Sequence, residues 1–159
     1  MRFVRWLTER EVKLACGRSM NKGVLDTDTL SEIMKGKHSG VSAKAAAYVR
    51  EHERLTISSV SVAEVVFGLR RKGREEMLAG FEESLKEWDV LPFDDAAART
   101  AGRINAALER QGLIIGLPDV MIAAIALCHG LAVVTGNVKH FEYVQSVGYE
   151  LTIDNWRTE

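Results

Sequence analysis

Short apolar runs alternate along the chain with longer segments whose apolar residues recur at helical spacing. The short runs predict strands at 22–26, 55–59, 89–93, 131–136 and 149–153. The longer segments predict helices at 29–36, 42–54, 60–73, 74–88, 94–112, 118–130 and 137–148. Strands that alternate with helices through short connections are typical of an α/β domain. We therefore expect a mostly parallel central sheet of about five strands with helices on both faces.

Length and composition favour one globular domain outside any membrane. The 159 residues are close to the ~150 residues of an average domain. The two cysteines, Cys16 and Cys128, form no CxxC pair, so neither a disulfide framework nor a zinc finger is predicted. No apolar run approaches the ~18 residues of a membrane span, and the N-terminus lacks the apolar core of a signal peptide. These features predict a cytoplasmic protein.

The formal net charge is -1, but the charged residues are distributed unevenly along the chain. Residues 1–22 carry six basic and two acidic side chains, which leaves 15 basic and 20 acidic side chains on residues 23–159. A protein that binds nucleic acid through charge alone is usually basic. A nucleic-acid function for this acidic body would therefore require something that offsets its carboxylates.

Several acids occur where burial disfavours a charge. Asp26 directly follows an apolar strand, which places it at the carboxyl end of the sheet or makes it the N-cap of the next helix. Glu64 lies in a helix that is apolar on nearly every face. We predict that it is buried and needs a metal, a water-filled pocket or a cation such as Arg103. Asp119 begins another apolar helix, where the helix dipole alone would stabilise it.

An amide and a hydroxyl accompany these acids. Asn137 follows the fourth predicted strand at a helix start, where Asn is a common N-cap, and Thr135 ends that strand. Because the carboxyl ends of parallel strands meet at one edge of a sheet, we expect the acids and the amide to converge there. Oxygen-only ligands suit Mg²⁺ or Mn²⁺ rather than zinc. The four histidines form no HxxxH or HExxH pattern.

Four short motifs lie in order along the chain: VLDTD at 24–28, SSVSVAEV at 58–65, LPDVMIAA at 117–124 and VVTGNVKHF at 133–141. In order and spacing they resemble the PIN-domain ribonucleases, and most closely the VapC-type toxins of bacterial toxin–antitoxin pairs. The resemblance covers about residues 22–156. It implies a single PIN-like α/β/α domain and a metal-dependent endoribonuclease.

The resemblance also implies roles for individual residues. Asp26, Glu64 and Asp119 would hold Mg²⁺ or Mn²⁺, and Asn137 occupies the position where many members carry a fourth acid. Phosphodiester hydrolysis needs an activated water, which Glu64 could position or deprotonate. Residues expected to support the acids or the water are Thr27, Asp28, Ser59 and Thr135.

Because a pocket of carboxylates repels phosphate, basic side chains outside it are expected to hold the RNA. The basic cluster that we assign to this contact consists of Arg70, Arg71, Lys72 and Arg74. Lys35 and Lys37 form a second basic group. The resemblance further implies a homodimer, a structured RNA substrate such as transfer RNA, and an antitoxin partner that lies along the helices at 29–54 and 60–88.

The first 19 residues precede Met20, at which the chain begins like other family members. We expect residues 1–19 to come from an upstream start codon or to form a dispensable arm, and residues 20–159 to form the PIN-like domain. The alternative is a basic N-terminal helix that aids RNA binding.

Two other functions are open at this point. A PIN domain without activity could act as an RNA- or protein-binding module, which Asn137 favours and the three retained acids disfavour. A haloacid-dehalogenase-like phosphatase would explain the acid pair at Asp26 and Asp28, but Leu30 and residues 135–137 do not match that pattern.

Overall fold

The computed structural model describes residues 19–158, which form five strands and seven helices. The strands are β1 Gly23–Leu25, β2 Thr56–Ser58, β3 Asp89–Leu91, β4 Ala132–Val134 and β5 Ile153–Asp154. The helices are α1 Thr27–Lys35, α2 Ser39–His52, α3 Ser59–Arg71, α4 Glu75–Ser84, α5 Asp95–Arg110, α6 Leu117–His129 and α7 Val138–Ser146. Apart from Ser19, the expected N-terminal extension lies outside the described residues.

All strand pairs are parallel, and the order across the sheet is β3-β2-β1-β4-β5. The first strand is therefore central, and Val24 pairs with Val133 of β4. Strands β1, β2 and β4 are buried along their whole length, as expected for a parallel sheet covered on both faces. The predicted α/β class is confirmed, and the sheet is parallel throughout.

Two hydrophobic cores lie on opposite faces of the sheet because successive strand side chains point in opposite directions. Leu25 of β1 packs in one core with Leu30 of α1 and Tyr48 of α2. Its neighbour Val24 packs in the other core, which includes Ile104 of α5. Each large side chain that is fully buried contributes roughly 1.5–3 kcal/mol. None of the helices within residues 19–158 has the length and hydropathy to cross a membrane.

The fifth strand begins later than its alternating pattern over residues 149–153 predicts. Its pairing with β4 starts at Thr152, whose carbonyl accepts a 2.8 Å hydrogen bond from the backbone N–H of Val133. Just before it, the Leu151 carbonyl accepts a 2.6 Å hydrogen bond from the Gln145 side chain. The first residues of the predicted strand are thus satisfied outside the sheet, and that part of the prediction was wrong.

The third helix is more exposed than its apolar sequence predicts. Only Ser61 and Val65 are buried, and Phe67 is 65% exposed. The helix packs against α1, α4 and α6, and no element of residues 19–158 covers its outer face. The predicted burial of this helix, and of Glu64 with it, was wrong because hydropathy does not reveal how many neighbours surround a helix.

Candidate active site

Asp26 lies at the carboxyl end of the central strand and is 3% exposed. It is also the N-cap of α1, so both predicted positions apply to the same residue. Its Oδ1 accepts a 2.7 Å hydrogen bond from the backbone N–H of Thr27. Its Oδ2 accepts a 2.8 Å hydrogen bond from the hydroxyl of Thr135, which follows the neighbouring strand β4. The carboxylate is therefore fixed in orientation by two adjacent strand ends.

The pKa of Asp26 is raised to about 6, chiefly because burial removes water from its charged form. The hydrogen bond from Thr135 opposes this rise, whereas repulsion from the carboxylate of Asp119 adds to it. The Thr27 hydrogen bond lowers this pKa and the charge of Asp28 raises it, both less strongly. A cation placed beside Asp26 would favour its ionised form.

Glu64 reaches the same edge of the sheet from the second turn of α3. Its side chain is partly exposed, and its Oε2 accepts a 2.5 Å hydrogen bond from the Thr27 hydroxyl. This hydroxyl, rather than Arg103, is the partner that the structure gives to Glu64. Thr27 therefore connects Glu64 to Asp26, since its backbone N–H binds one acid and its hydroxyl binds the other.

Asp119 lies in the first turn of α6 and contacts a histidine that no sequence motif singles out. Nδ1 of His140 lies 2.6 Å from Oδ2 of Asp119 and 2.7 Å from the side-chain amide nitrogen of Asn137. Asn137 occupies the N-cap position of α7 without making a side-chain capping bond. The available signal was the spacing of three residues between Asn137 and His140, which places both on one helix face.

Of the supporting hydroxyls, Thr135 is the most central. It is fully buried, donates to Asp26 and accepts a 2.9 Å hydrogen bond from the backbone N–H of Asn137. Ser59 has a different position: its hydroxyl accepts a 2.9 Å hydrogen bond from the backbone N–H of Phe93 and so joins α3 to the segment after β3. Its described contact is with the scaffold rather than with an acid.

One hydrogen-bonded network connects the predicted acids at the edge of the sheet. Its members, in order of contact, are Glu64, Thr27, Asp26, Thr135, Asn137, His140 and Asp119. As they lie, no three His, Cys, Asp or Glu side chains within residues 19–158 are grouped closely enough to form a ligand set. The acids are therefore near one another but are connected through hydroxyl, amide and imidazole groups.

Asp28 faces a basic side chain from the far end of the described chain. Its Oδ1 accepts a 2.7 Å hydrogen bond from Nη2 of Arg157, while its Oδ2 is buried and has no hydrogen-bond partner among residues 19–158. The sequence analysis did not select Arg157, because no motif or spacing relates it to Asp28, which lies 129 positions earlier in the chain. A cation of the chain itself, Arg157, thus borders the network of acids.

A groove of about 490 Å³ extends from the network towards the basic residues. Thr27 and Glu64 of the network are among its lining residues. The four cations that also line it are Lys35, Lys37, Lys72 and Arg74. The structure thus joins two basic groups that the sequence left separate. The other two residues of the predicted cluster have different contacts: Arg70 forms a 3.0 Å ion pair with Glu75, and the Arg71 guanidinium lies 5.4 Å from the centre of the Phe67 ring.

Comparison with known proteins identifies the family. Residues 23–145 match the PIN domain, a span that includes every acid of the network. The chain is 36% identical to the tRNA(fMet)-specific endonuclease VapC of Shigella flexneri, over 79% of this chain and 93% of that protein. It is 33% identical to the protein of the same name from Salmonella typhimurium, over 82% of this chain and 98% of that protein.

Solved structures share the fold. A chain of the DNA-bound VapBC from Salmonella typhimurium superposes with a TM-score of 0.74 at 33% identity, over 86% of this chain and 99% of that one. A chain of VapBC-1 from nontypeable Haemophilus influenzae gives a TM-score of 0.71 at 25% identity, over 85% and 98%. The protein belongs to the PIN-domain family, among its VapC ribonucleases. The resemblance predicted from four short motifs is confirmed.

Proposed function

We propose that this protein hydrolyses RNA with a metal-activated water held at the edge of its sheet. Family membership carries the general assignment, since the chain is a PIN-domain endoribonuclease toxin of the VapC class. The observation that supports the finer proposal is the buried carboxylate of Asp26 at the end of the central strand, hydrogen bonded in one network with Glu64 and Asp119.

We assign the metal, Mg²⁺ or Mn²⁺, to Asp26, Glu64 and Asp119, because carboxylate oxygens are the ligands that these ions prefer. As the three side chains lie they do not form a ligand set, so binding would require them to turn towards a shared ion. The fit rests on Asp26: its pKa is raised by burial and by repulsion from Asp119, so a divalent cation there would favour its ionised form. When bound, such an ion supplies a water of lowered pKa and positive charge for the phosphate oxygens.

The other roles belong to side chains of this chain. Glu64 is partly exposed and lines the groove, which places it to accept a proton from the attacking water. The hydroxyls of Thr27 and Thr135 hold the carboxylates of Glu64 and Asp26 in fixed orientations. Asn137 contacts His140, which contacts Asp119, and this pair orients the third acid.

The substrate that we propose is structured RNA, such as transfer RNA. The name of two relatives, tRNA(fMet)-specific endonuclease, supports this choice. The groove supports this choice as well, because the four cations that line it can neutralise backbone phosphates, and Glu64 of the network lines the same groove. Lys72 and Arg74 remain the RNA contacts that we favour from the predicted cluster.

The partner that we propose is an antitoxin protein, since the solved neighbours are VapBC complexes. We expect it to lie over α1 and α3, where partly exposed Met34 and Leu69 line the groove. We also propose a homodimer in the cytoplasm. Exposed Ile114 and Leu117, at 90% and 53%, lie just before Asp119 and are apolar side chains that a second copy could cover.

Cleavage of a structured RNA by the partner-free chain tests the function. We expect cleavage with Mg²⁺ or Mn²⁺, none with EDTA, and none after Asp26→Asn or Asp119→Asn. Asp95→Asn is the matched control, because this exposed acid pairs with Arg99 on α5 away from the network. Cleavage that survives both network substitutions would refute the site.

The binding-module alternative makes a different prediction in the same assay. A PIN domain without activity would retain RNA but would leave it intact with either metal. The hydrogen bonds that fix the carboxylates of Asp26 and Glu64 favour the enzyme, because an RNA-binding module has no use for oriented acids that repel phosphate.

A further inference from the structure

Arg157 lies at the same edge of the sheet as the acids. It follows β5, which is parallel to β4, just as β4 is parallel to β1, so the carboxyl ends of all three strands are adjacent. The guanidinium donates a 2.7 Å hydrogen bond to Asp28, two residues beyond Asp26. The chain therefore carries a cation into a region whose other charged side chains are mostly acids.

The segment that bears Arg157 is firmly attached. The preceding residue, Trp156, is 2% exposed, and its ring packs 5.6 Å from the ring of Tyr48. The backbone N–H of Arg157 donates a 3.0 Å hydrogen bond to the Asn155 side chain, and Lys44 donates to the carbonyl of Thr158. An anchored arginine loses little conformational freedom when it binds a ligand.

Gly136 shows how closely the guanidinium approaches the network. A Cβ at Gly136 would lie 2.4 Å from Nη1 and 2.6 Å from Cζ of Arg157, so the planar group rests on this glycine's backbone. Gly136 stands between Thr135, which binds Asp26, and Asn137, which contacts His140. The guanidinium thus packs against the turn that holds two members of the network.

Arg157 has donors to spare. Within residues 19–158 its guanidinium makes one hydrogen bond, to Asp28, and its side chain remains 37% exposed. A guanidinium offers five N–H donors in a planar fork that matches two oxygens of a phosphate. The unused donors and the exposure suit a ligand with phosphate oxygens.

We propose that Arg157 is a substrate-binding residue that donates to a backbone phosphate of the RNA beside the acids. This inference rests on the proposed function and adds to it a contact outside the groove. The groove cations lie on the side of Glu64, whereas Arg157 lies on the side of Thr135 and Gly136. An RNA strand held at both sides crosses the acid network between them.

Salt-dependent binding of a labelled hairpin RNA to the full-length chain tests the proposal. Asp119→Asn serves as the parent so that the RNA remains intact. We expect Arg157→Gln to weaken binding and to reduce the slope of log affinity against log salt by about 0.7–0.9, the range for one phosphate contact in a single strand or a duplex. Arg157→Lys should retain most of the slope while losing affinity, because a lysine keeps the charge but not the fork.

Two further variants separate contact with RNA from a structural role. Asp28→Asn keeps an oxygen to accept the bond from Nη2, so the effect of Arg157→Gln should persist in that background. Gly136→Ala displaces the guanidinium without removing it and should reproduce the weaker binding. Arg99→Gln is the matched control, since it removes an exposed arginine from a 2.9 Å pair with Asp95.

Defined outcomes overturn the proposal. If Arg157→Gln shifts only the melting temperature and leaves affinity and slope unchanged, Arg157 is a clamp for the C-terminal segment. If its effect disappears in Asp28→Asn, Arg157 acts by neutralising that acid. Cleavage by the unsubstituted chain with Mg²⁺ is measured in parallel. If the unsubstituted chain does not cleave RNA, the proposed function is refuted. If it does cleave and Arg157→Gln has an unchanged KM, only the inference about Arg157 is refuted.

Discussion

The hydroxyl of Thr135 donates a 2.8 Å hydrogen bond to Oδ2 of Asp26 and joins two residues that lie 109 positions apart. Both follow neighbouring parallel strands, so the sheet itself sets their separation. Thr135 also accepts a hydrogen bond from the backbone of Asn137. This single hydroxyl therefore couples the buried acid to the start of α7, where Asn137 and His140 reach Asp119.

Replacing this hydroxyl should weaken both the fold and the site. Thr135→Val leaves Oδ2 of Asp26 and the N–H of Asn137 without their partner, and we expect a loss of about 1–3 kcal/mol in the free energy of unfolding. We also expect metal affinity to fall roughly 10- to 100-fold. Urea melts and Mn²⁺ titration measure the two effects. Thr135→Ser, which keeps the hydroxyl, should behave like the parent; equal losses in both variants would contradict the prediction.

The raised pKa of Asp26 predicts a pH-dependent stability in EDTA. An unfolded Asp ionises near ~3.9, whereas the pKa of folded Asp26 is about 6. The contribution of Asp26 to the free energy of unfolding is therefore fully present below the unfolded pKa, and it is lost as pH rises through the folded pKa. We expect Asp26→Asn to gain up to about 3 kcal/mol relative to the parent across this window.

Urea melts from acidic to neutral pH measure this difference. The exposed acid Asp95, in Asp95→Asn, provides the control and should keep the parent's pH dependence. If Asp26→Asn and the parent lose stability in parallel over the whole range, folding does not raise the pKa of Asp26.

Metal should stabilise the folded chain at neutral pH. An ion that binds only the native state adds about 2.7 kcal/mol at a hundred times its Kd. We expect Mg²⁺ or Mn²⁺ to raise the melting temperature of the parent but not that of Asp26→Asn or Asp119→Asn. An undiminished rise in Asp119→Asn would exclude this residue as a ligand.

His140 should influence the metal through Asp119. Its Nδ1 lies 2.6 Å from the Asp119 carboxylate, and removing the ring leaves that acid free to rotate. We expect His140→Ala to weaken Mn²⁺ binding roughly 10- to 100-fold, with calorimetry as the measurement. The control is His129→Ala, at the opposite end of α6. Equal affinities in the two variants would show that His140 is dispensable.

Reversing charge in the groove should reduce RNA binding. Lys72 and Arg74 line the groove, and we expect their joint replacement by Glu to lower RNA affinity at least roughly tenfold, most strongly at low salt. Lys86→Glu is the control, because Lys86 pairs with Glu83 on the surface and does not line the groove. Fluorescence anisotropy measures the RNA affinity of the double variant and of Lys86→Glu, and equal affinities in these two proteins would contradict the prediction.

The sequence predicted those parts of the site that depend on local pattern. Asp26 and Thr135 follow buried strands, and parallel strands bring their carboxyl ends to one edge, so the convergence of these side chains was predictable. The exposure of α3 was not, since periodicity does not report which faces of a helix find neighbours. His140 and Arg157 were missed because their partners, Asp119 and Asp28, are distant in sequence.

Trp156 has a consequence for synthesis of the chain. The central strand β1 is made early, but its neighbour β4 pairs with β5, and the core around Tyr48 is closed by Trp156. A nascent chain that stops before Ile153 therefore lacks an edge strand, a core side chain and Arg157 at the same time. Translation that is interrupted late should therefore yield poorly folded fragments that also lack the residue proposed to contact RNA.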